Sequence, residues 1–232
     1  MKSRTYLLIM CFVIALTSCN HTSSPKDLAV TDIYCDSCNE VSAMLYEQFY
    51  YSNDSTYLDS SLIVIDKALH ECQKPELYLI LYFRKLSILT QKCEFNKAIS
   101  YLDSIDLKEF IIFPYLQNVY HNRLLAMKYY KNGDVVSRDS CINLIMDEIS
   151  AYLTENRQTV DSILCEKDAA SIAKSRIDFP VKQYFYYLTF LKGEQEINSI
   201  IDSLQQIGTF NPDYLERLRY LYDEDFMVFS GV

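Results

Sequence analysis

Apolar residues recur at three- and four-residue steps through almost all of the chain after residue 40. Leu58, Leu62, Ile65, Leu69 and Cys72 form one such stripe, and Phe95, Ala98, Ile99, Leu102 and Ile105 form a second. Ile142, Ile145, Ile149 and Tyr152 make a third, Val181, Tyr184, Phe185, Leu188 and Leu191 a fourth, and Ile197, Ile200, Ile201, Leu204 and Ile207 a fifth. This spacing follows the pitch of an α-helix and gives each helix one face that it must bury against a neighbour. Strands would alternate by two, and a sheet with many tight turns would need more than the 4 glycines and 5 prolines present among 232 residues. The expected fold class is all-α.

The breakers fall between the stripes. Pro75 is placed to open a helix through Glu76–Lys92, and Pro114 and Pro180 stand ahead of two more. Proline suits a first helical turn, where its missing N–H has no intrahelical partner anyway. Asn211-Pro212 has the form of a cap followed by the first residue of a last helix. Gly133 and Gly193 stand where helices before them would end. The connections are short, which implies antiparallel helical hairpins.

Several of these turns resemble those of tetratricopeptide (TPR) repeats. Tyr129-Tyr130-Lys131-Asn132-Gly133-Asp134 resembles the end of helix A and the turn of that family, with Ala126 on its small-residue position. Cys93-Glu94-Phe95-Asn96-Lys97-Ala98-Ile99 resembles the turn and the start of helix B, with Ala98 on the small position. Asp66-Lys67-Ala68-Leu69 resembles the end of a helix B, Pro75 stands near a closing proline, and Phe190-Leu191-Lys192-Gly193-Glu194 gives a further turn. The turns are spaced irregularly, 40 residues from Glu94 to Asp134 and 60 from Asp134 to Glu194, where the family repeats every ~34. The resemblance implies antiparallel hairpins stacked as a TPR-like α-solenoid over residues 40–232. A generic antiparallel bundle or another α-solenoid is the alternative.

The first residues have a different character. Lys2 and Arg4 precede the apolar run Leu7–Leu16, and small residues Thr17 and Ser18 lead into Cys19. Charge, apolar core and small residues in that order describe a secretory signal peptide over residues 1–18. The run is shorter than the ~20 residues that a membrane-spanning helix requires. Leu16-Thr17-Ser18-Cys19 further resembles the lipobox of bacterial lipoproteins. That resemblance implies cleavage before Cys19, a diacylglyceryl thioether on its sulfur and an acylated amino terminus. It implies a lipid-anchored place in the bacterial cell envelope, on the outer membrane in preference to the inner, facing the periplasm or the surface. Residues 19–39, polar in their first half and carrying Pro25, are expected to be a flexible tether.

The formal charge is −9, which opposes nucleic acid as a partner. Eight cysteines are present. Cys35-Asp36-Ser37-Cys38 offers three readings: a local disulfide, a pair of inert thiols, or a metal or redox site. No second pair stands at zinc-site spacing, so no metal is expected. Cys72, Cys93, Cys141 and Cys165 fall on apolar faces and are expected to be small buried hydrophobes. The three histidines, His21, His70 and His121, form no ligand or catalytic pattern. No phosphate-binding glycine loop, nucleophile elbow or metalloprotease motif occurs, and neither an enzyme nor a cofactor is expected.

In TPR proteins helix A residues line a concave groove. The corresponding positions here carry Phe83, Ser87, Tyr120, Arg123, Met127 and Tyr130. These include Tyr, Arg and Met, types enriched at interfaces; the competing reading makes most of them core residues or scattered surface aromatics. Tyr184 and Phe185 match the core stripe of their helix, which leaves Tyr186 and Tyr187 facing partly outward. The leading functional expectation is a non-catalytic, membrane-anchored scaffold for a protein or peptide partner. A sensory or regulatory envelope protein related to TPR-containing regulators is the second, and an enzyme with an unrecognised site the third. Anchoring gives the first test. Cys19→Ser should move the protein from the membrane fraction to the soluble fraction, and an unchanged fractionation pattern would overturn the lipobox assignment.

Overall fold

The structure is a computed structural model that describes residues 25–71, 75–105, 113–166 and 168–221. The signal, Cys19 and Cys72 lie outside the described residues. Eleven helices follow one another among the described residues, with no strand. They are α1 (Pro25–Ser52), α2 (Thr56–Glu71), α3 (Pro75–Gln91), α4 (Phe95–Asp103), α5 (Leu116–Lys131) and α6 (Val135–Glu155). Then come α7 (Arg157–Leu164), α8 (Ala169–Ala173), α9 (Asp178–Lys192), α10 (Glu194–Ile207) and α11 (Pro212–Leu218). The all-α class is as the periodicity predicts.

Each turn has a local cause. Between α5 and α6, Gly133 adopts φ +73°, a left-handed value that costs little without a Cβ. The Asp134 amide then closes on the Tyr129 carbonyl at 3.0 Å, and the Asp134 side chain accepts from the Ser137 amide. That bond holds the Asp134 carboxyl below its ordinary pKa, so the cap acts above the usual carboxylate range and weakens as pH falls through it. Between α3 and α4 the same left-handed position is filled by Cys93, at φ +57°, although its Cβ makes that conformation costly. Cys93 is exposed there. Asn211 caps α11 by accepting from the Tyr214 amide at 2.9 Å, with Pro212 in the first turn. Pro180 lies inside the first turn of α9 rather than ahead of it.

Helices pack mainly against their neighbours in the chain. α1 lies on α2, α2 on α3, α3 on α4, α4 on α5 and α5 on α6; α6 then meets α9, α9 meets α10, and α10 meets α11. The buried side chains fall into three clusters in the same order. Cys38, Leu58, Ile65, Ala68, Leu81 and Ile88 join α1–α3. Residues of α3–α6, together with Tyr187 of α9, make the largest cluster. Ile172, Ile177, Val181, Ile201, Tyr214 and Leu215 belong to the C-terminal one. Leu62 packs on both of the first two clusters and Leu153 on both of the last two. Ile142, Ile145 and Ile149 are fully buried, at about 1.5–3 kcal/mol each. A helix cap contributes about 1 kcal/mol, so packing rather than capping dominates.

Four expectations are corrected. The stretch expected as a tether is helical from Pro25 onward. The reason is a stripe of small residues: Cys35, Cys38, Ser42 and Leu45, at steps of three and four, are all at most 4% exposed. The stripe is short and broken by Ser42, and polar residues surround it, so the periodicity is easily missed. Cys35 and Cys38 are accordingly buried thiols, not a disulfide; burial above all pushes the nearby Tyr34 phenol up. Of the cysteines expected in the core, Cys141 is buried, but Cys93 and Cys165 are exposed at helix ends. Ile207, the last member of its stripe, is 66% exposed, because α10 ends there at Gly208.

A polar knot ties the first three helices. Arg84 of α3 donates to the Asn39 carbonyl, to Asn39 Oδ1 and to Ser42 Oγ of α1, at 2.9, 2.7 and 2.6 Å. Ser61 of α2 donates to the Ser42 carbonyl at 3.0 Å. Asn211 has a similar role far along the chain. Its amide donates to the Leu164 carbonyl and its side chain to the Glu166 carbonyl, at 2.9 and 2.8 Å. Asn211→Ala should therefore lower unfolding free energy by about 2 kcal/mol, more than a solvent-exposed cap, because the buried Tyr214 amide loses its acceptor and the Glu166 carbonyl its donor. Urea unfolding followed by circular dichroism measures it, and a loss below about 0.5 kcal/mol would refute the coupling.

Candidate binding surface

The six residues expected to line a groove do fall on one side of α3 and α5. Phe83 and Ser87 are one turn apart on α3, and Ser87 Oγ donates to the Phe83 carbonyl at 3.0 Å. Tyr120, Arg123, Met127 and Tyr130 follow one another at steps of three and four on α5. The two rows meet: the Phe83 and Tyr120 rings lie 5.4 Å apart, edge to face.

The structure does not leave that row open. Tyr120 is 3% exposed, Arg123 6%, Met127 0% and Ser87 8%. Phe83 is half-buried, and only Tyr130, at 44%, is exposed. The cover is α9. Its Tyr187 is 1% exposed within the same cluster, the Tyr186 ring lies 5.8 Å from the Arg123 guanidinium, and Phe190 packs at 6.0 Å on Tyr130. The groove reading is thus corrected to a core reading for Ser87, Tyr120, Arg123 and Met127. Tyr187, expected to face partly outward, is the most buried aromatic of its run. Burial pushes the Tyr120 phenol above its usual range, with the neighbouring Tyr187 adding to the effect and Arg123 opposing it. A guanidinium over an aromatic face is stabilised by cation–π attraction, which suits Arg123 to a tyrosine-rich interior.

An open surface remains at the end of the α5–α6 hairpin. Tyr130 is joined there by Val135 at 52% and Val136 at 82% exposure. Arg138 of α6 lies over the Phe190 ring at 5.0 Å and the Tyr130 ring at 5.8 Å, and Asp139 holds its guanidinium at 2.6 Å. The turn chemistry places these residues: Gly133 and Asp134 start α6 directly, so both valines occupy its first turn and project beyond the packed face. Sequence reasoning passed over Val135 and Val136. Their adjacency to the Asn132-Gly133-Asp134 turn was the available signal, since a helix starting there has no neighbour yet to cover its first residues.

Among the described residues, no group of three His, Cys, Asp or Glu side chains could hold a metal ion. His121 pairs with Asp103 at 2.9 Å on the surface. None of the described helices is long and apolar enough to cross a membrane. No protein-family model, curated protein or solved structure matches this chain.

The burial pattern separates the two sets of residues experimentally. Met127→Ala should cost about 2–5 kcal/mol through the cavity it leaves, while Val136→Ser should stay within about 0.5 kcal/mol. Equal losses in thermal unfolding would contradict this division between core and surface.

Proposed function

We propose that this chain is a lipid-anchored helical scaffold of the bacterial cell envelope, with hairpins stacked in the manner of TPR repeats, and that it binds a protein or peptide partner without catalysing a reaction. The order of packing from α1 to α6 supports the repeat reading: there each helix lies mainly on its neighbours in sequence, and Ala98 and Ala126, on the family's small positions, are fully buried. The lipobox residues support the anchor, which would hold the scaffold close to one membrane.

The observation that carries the binding role is the patch at the α5–α6 turn. Two valines and a tyrosine stand exposed together beside a guanidinium stacked on two rings. Exposed apolar side chains grouped with Tyr and Arg are the composition of interface centres. The patch replaces the groove as the contact surface, because α9 covers the row on α5. A photo-crosslinking amino acid placed at Val136 in cells should give a discrete adduct with one partner. The same group at exposed Gln206 should not, and Tyr130→Ser with Val135→Ser should abolish the adduct while helical content stays unchanged. No adduct, or the same adducts from both positions, would rule out this surface.

A further inference from the structure

The C-terminal cluster contains a cavity of about 210 Å³ that the proposed binding patch does not use. It lies between α7, α9, α10 and α11, and every residue on its wall is aliphatic or aromatic. The short helix α7 has no fully buried residue, and its Val160 and Leu164, both on the wall, are half-buried. Leu204 and Phe210 on the same wall are half-buried too. α7 is thus a partial cover, held at its far end by the bonds from Asn211 to the Leu164 and Glu166 carbonyls. The half-buried residues mark the side from which the cavity is reached.

The wall sets the chemistry of what can enter. No Lys, Arg, Asp or Glu side chain stands on it, so an ionised ligand would lose its hydration with nothing in return. Tyr214 contributes its ring, while its hydroxyl faces the Asp178 carboxylate. An apolar cavity of ~150 Å³ stays dry and takes up benzene, so about 210 Å³ accommodates such a ring with a short alkyl substituent. Drug-sized ligands need ~300 Å³ or more, which excludes larger molecules. The aromatic side chains of Tyr184, Phe185, Phe210 and Tyr214 all lie on the wall, and Tyr184 and Phe185 already stand edge to face at 6.2 Å. Aromatic rings attract one another in such geometries beyond what buried area alone provides. The wall therefore favours an aromatic guest over a saturated one.

We propose that this cavity is a binding site for a small neutral aromatic molecule, a benzene ring bearing a short alkyl group, which enters beside α7. The ring would lie among Phe185, Phe210 and Tyr214 and complete the packing of the C-terminal cluster. This inference does not depend on the partner surface or on the lipid.

Toluene is the probe that tests it. Titrated into the methyl-labelled full chain, it should shift the NMR signals of Val160, Leu164, Val181, Leu204 and Leu215 on the wall. Those of Leu86, Leu124 and Ile145 in the central cluster should stay in place. Cyclohexane should bind several-fold more weakly. No saturable shift at the wall, shifts spread evenly through both clusters, or cyclohexane binding as tightly as toluene would overturn the proposal. The titration uses the unaltered chain, so it does not depend on any variant folding. A filled cavity gives a second measurement. Val160→Phe with Leu204→Phe should abolish the rise in Tm that toluene produces in the unaltered chain, at unchanged helical content, and an equal rise in both would equally overturn the site.

Discussion

The rest of the molecule depends on the enclosure of α5. Leu116, Val119, Tyr120, Arg123, Leu124, Ala126 and Met127 are all buried, so this helix buries a broad face and keeps solvent on the side of Asn118 and His121. A helix apolar on one narrow stripe needs one neighbour, but one buried over a broad face needs several. α4 and α6 supply two of them directly along the chain. The last wall comes from α9, whose aromatic run closes over Tyr120 and Arg123. That closure joins the central cluster to the C-terminal helices, and it removes from solvent the row of residues that would otherwise have been a groove.

The polar groups inside follow from the same enclosure. Arg84 is tied to neutral acceptors of α1, and its desolvation favours the uncharged form; the bonds supply the compensation that a buried charge needs. Arg123 sits among tyrosine rings instead. Tyr214, 1% exposed, faces the Asp178 carboxylate, which Lys182 holds at 2.8 Å. Burial first, and that carboxylate second, push its phenol upward. The buried tyrosines Tyr82, Tyr120, Tyr187 and Tyr214 supply large apolar rings to the core.

Much of the local structure was legible from residue types. Asn211-Pro212 announced the start of α11, Gly133-Asp134 the start of α6, and Pro75 the start of α3, because each has a specific backbone or capping preference. The buried stripe Cys35-Cys38-Ser42 was not legible in the same way, since it is short, mixes cysteine with serine, and lies in a stretch whose polar first half carries Pro25. Nor was the left-handed Cys93, where a glycine would have been expected.

The sequence by itself determined that the chain is helical, where several helices begin or end, and which residues of α5 share a side. These are consequences of spacing and of backbone chemistry within a few residues. Only the tertiary structure decided whether that side meets water. Tyr120, 3% exposed, and Tyr130, 44% exposed, share a residue type and a face of α5; what differs is how far other helices cover them, and part of that cover is the run from Tyr184 to Phe190, which arrives from more than 50 residues away in the chain. No local pattern encodes that distance. Core and contact surface are made of the same amino acids here, and their roles are set by what the fold lays over them.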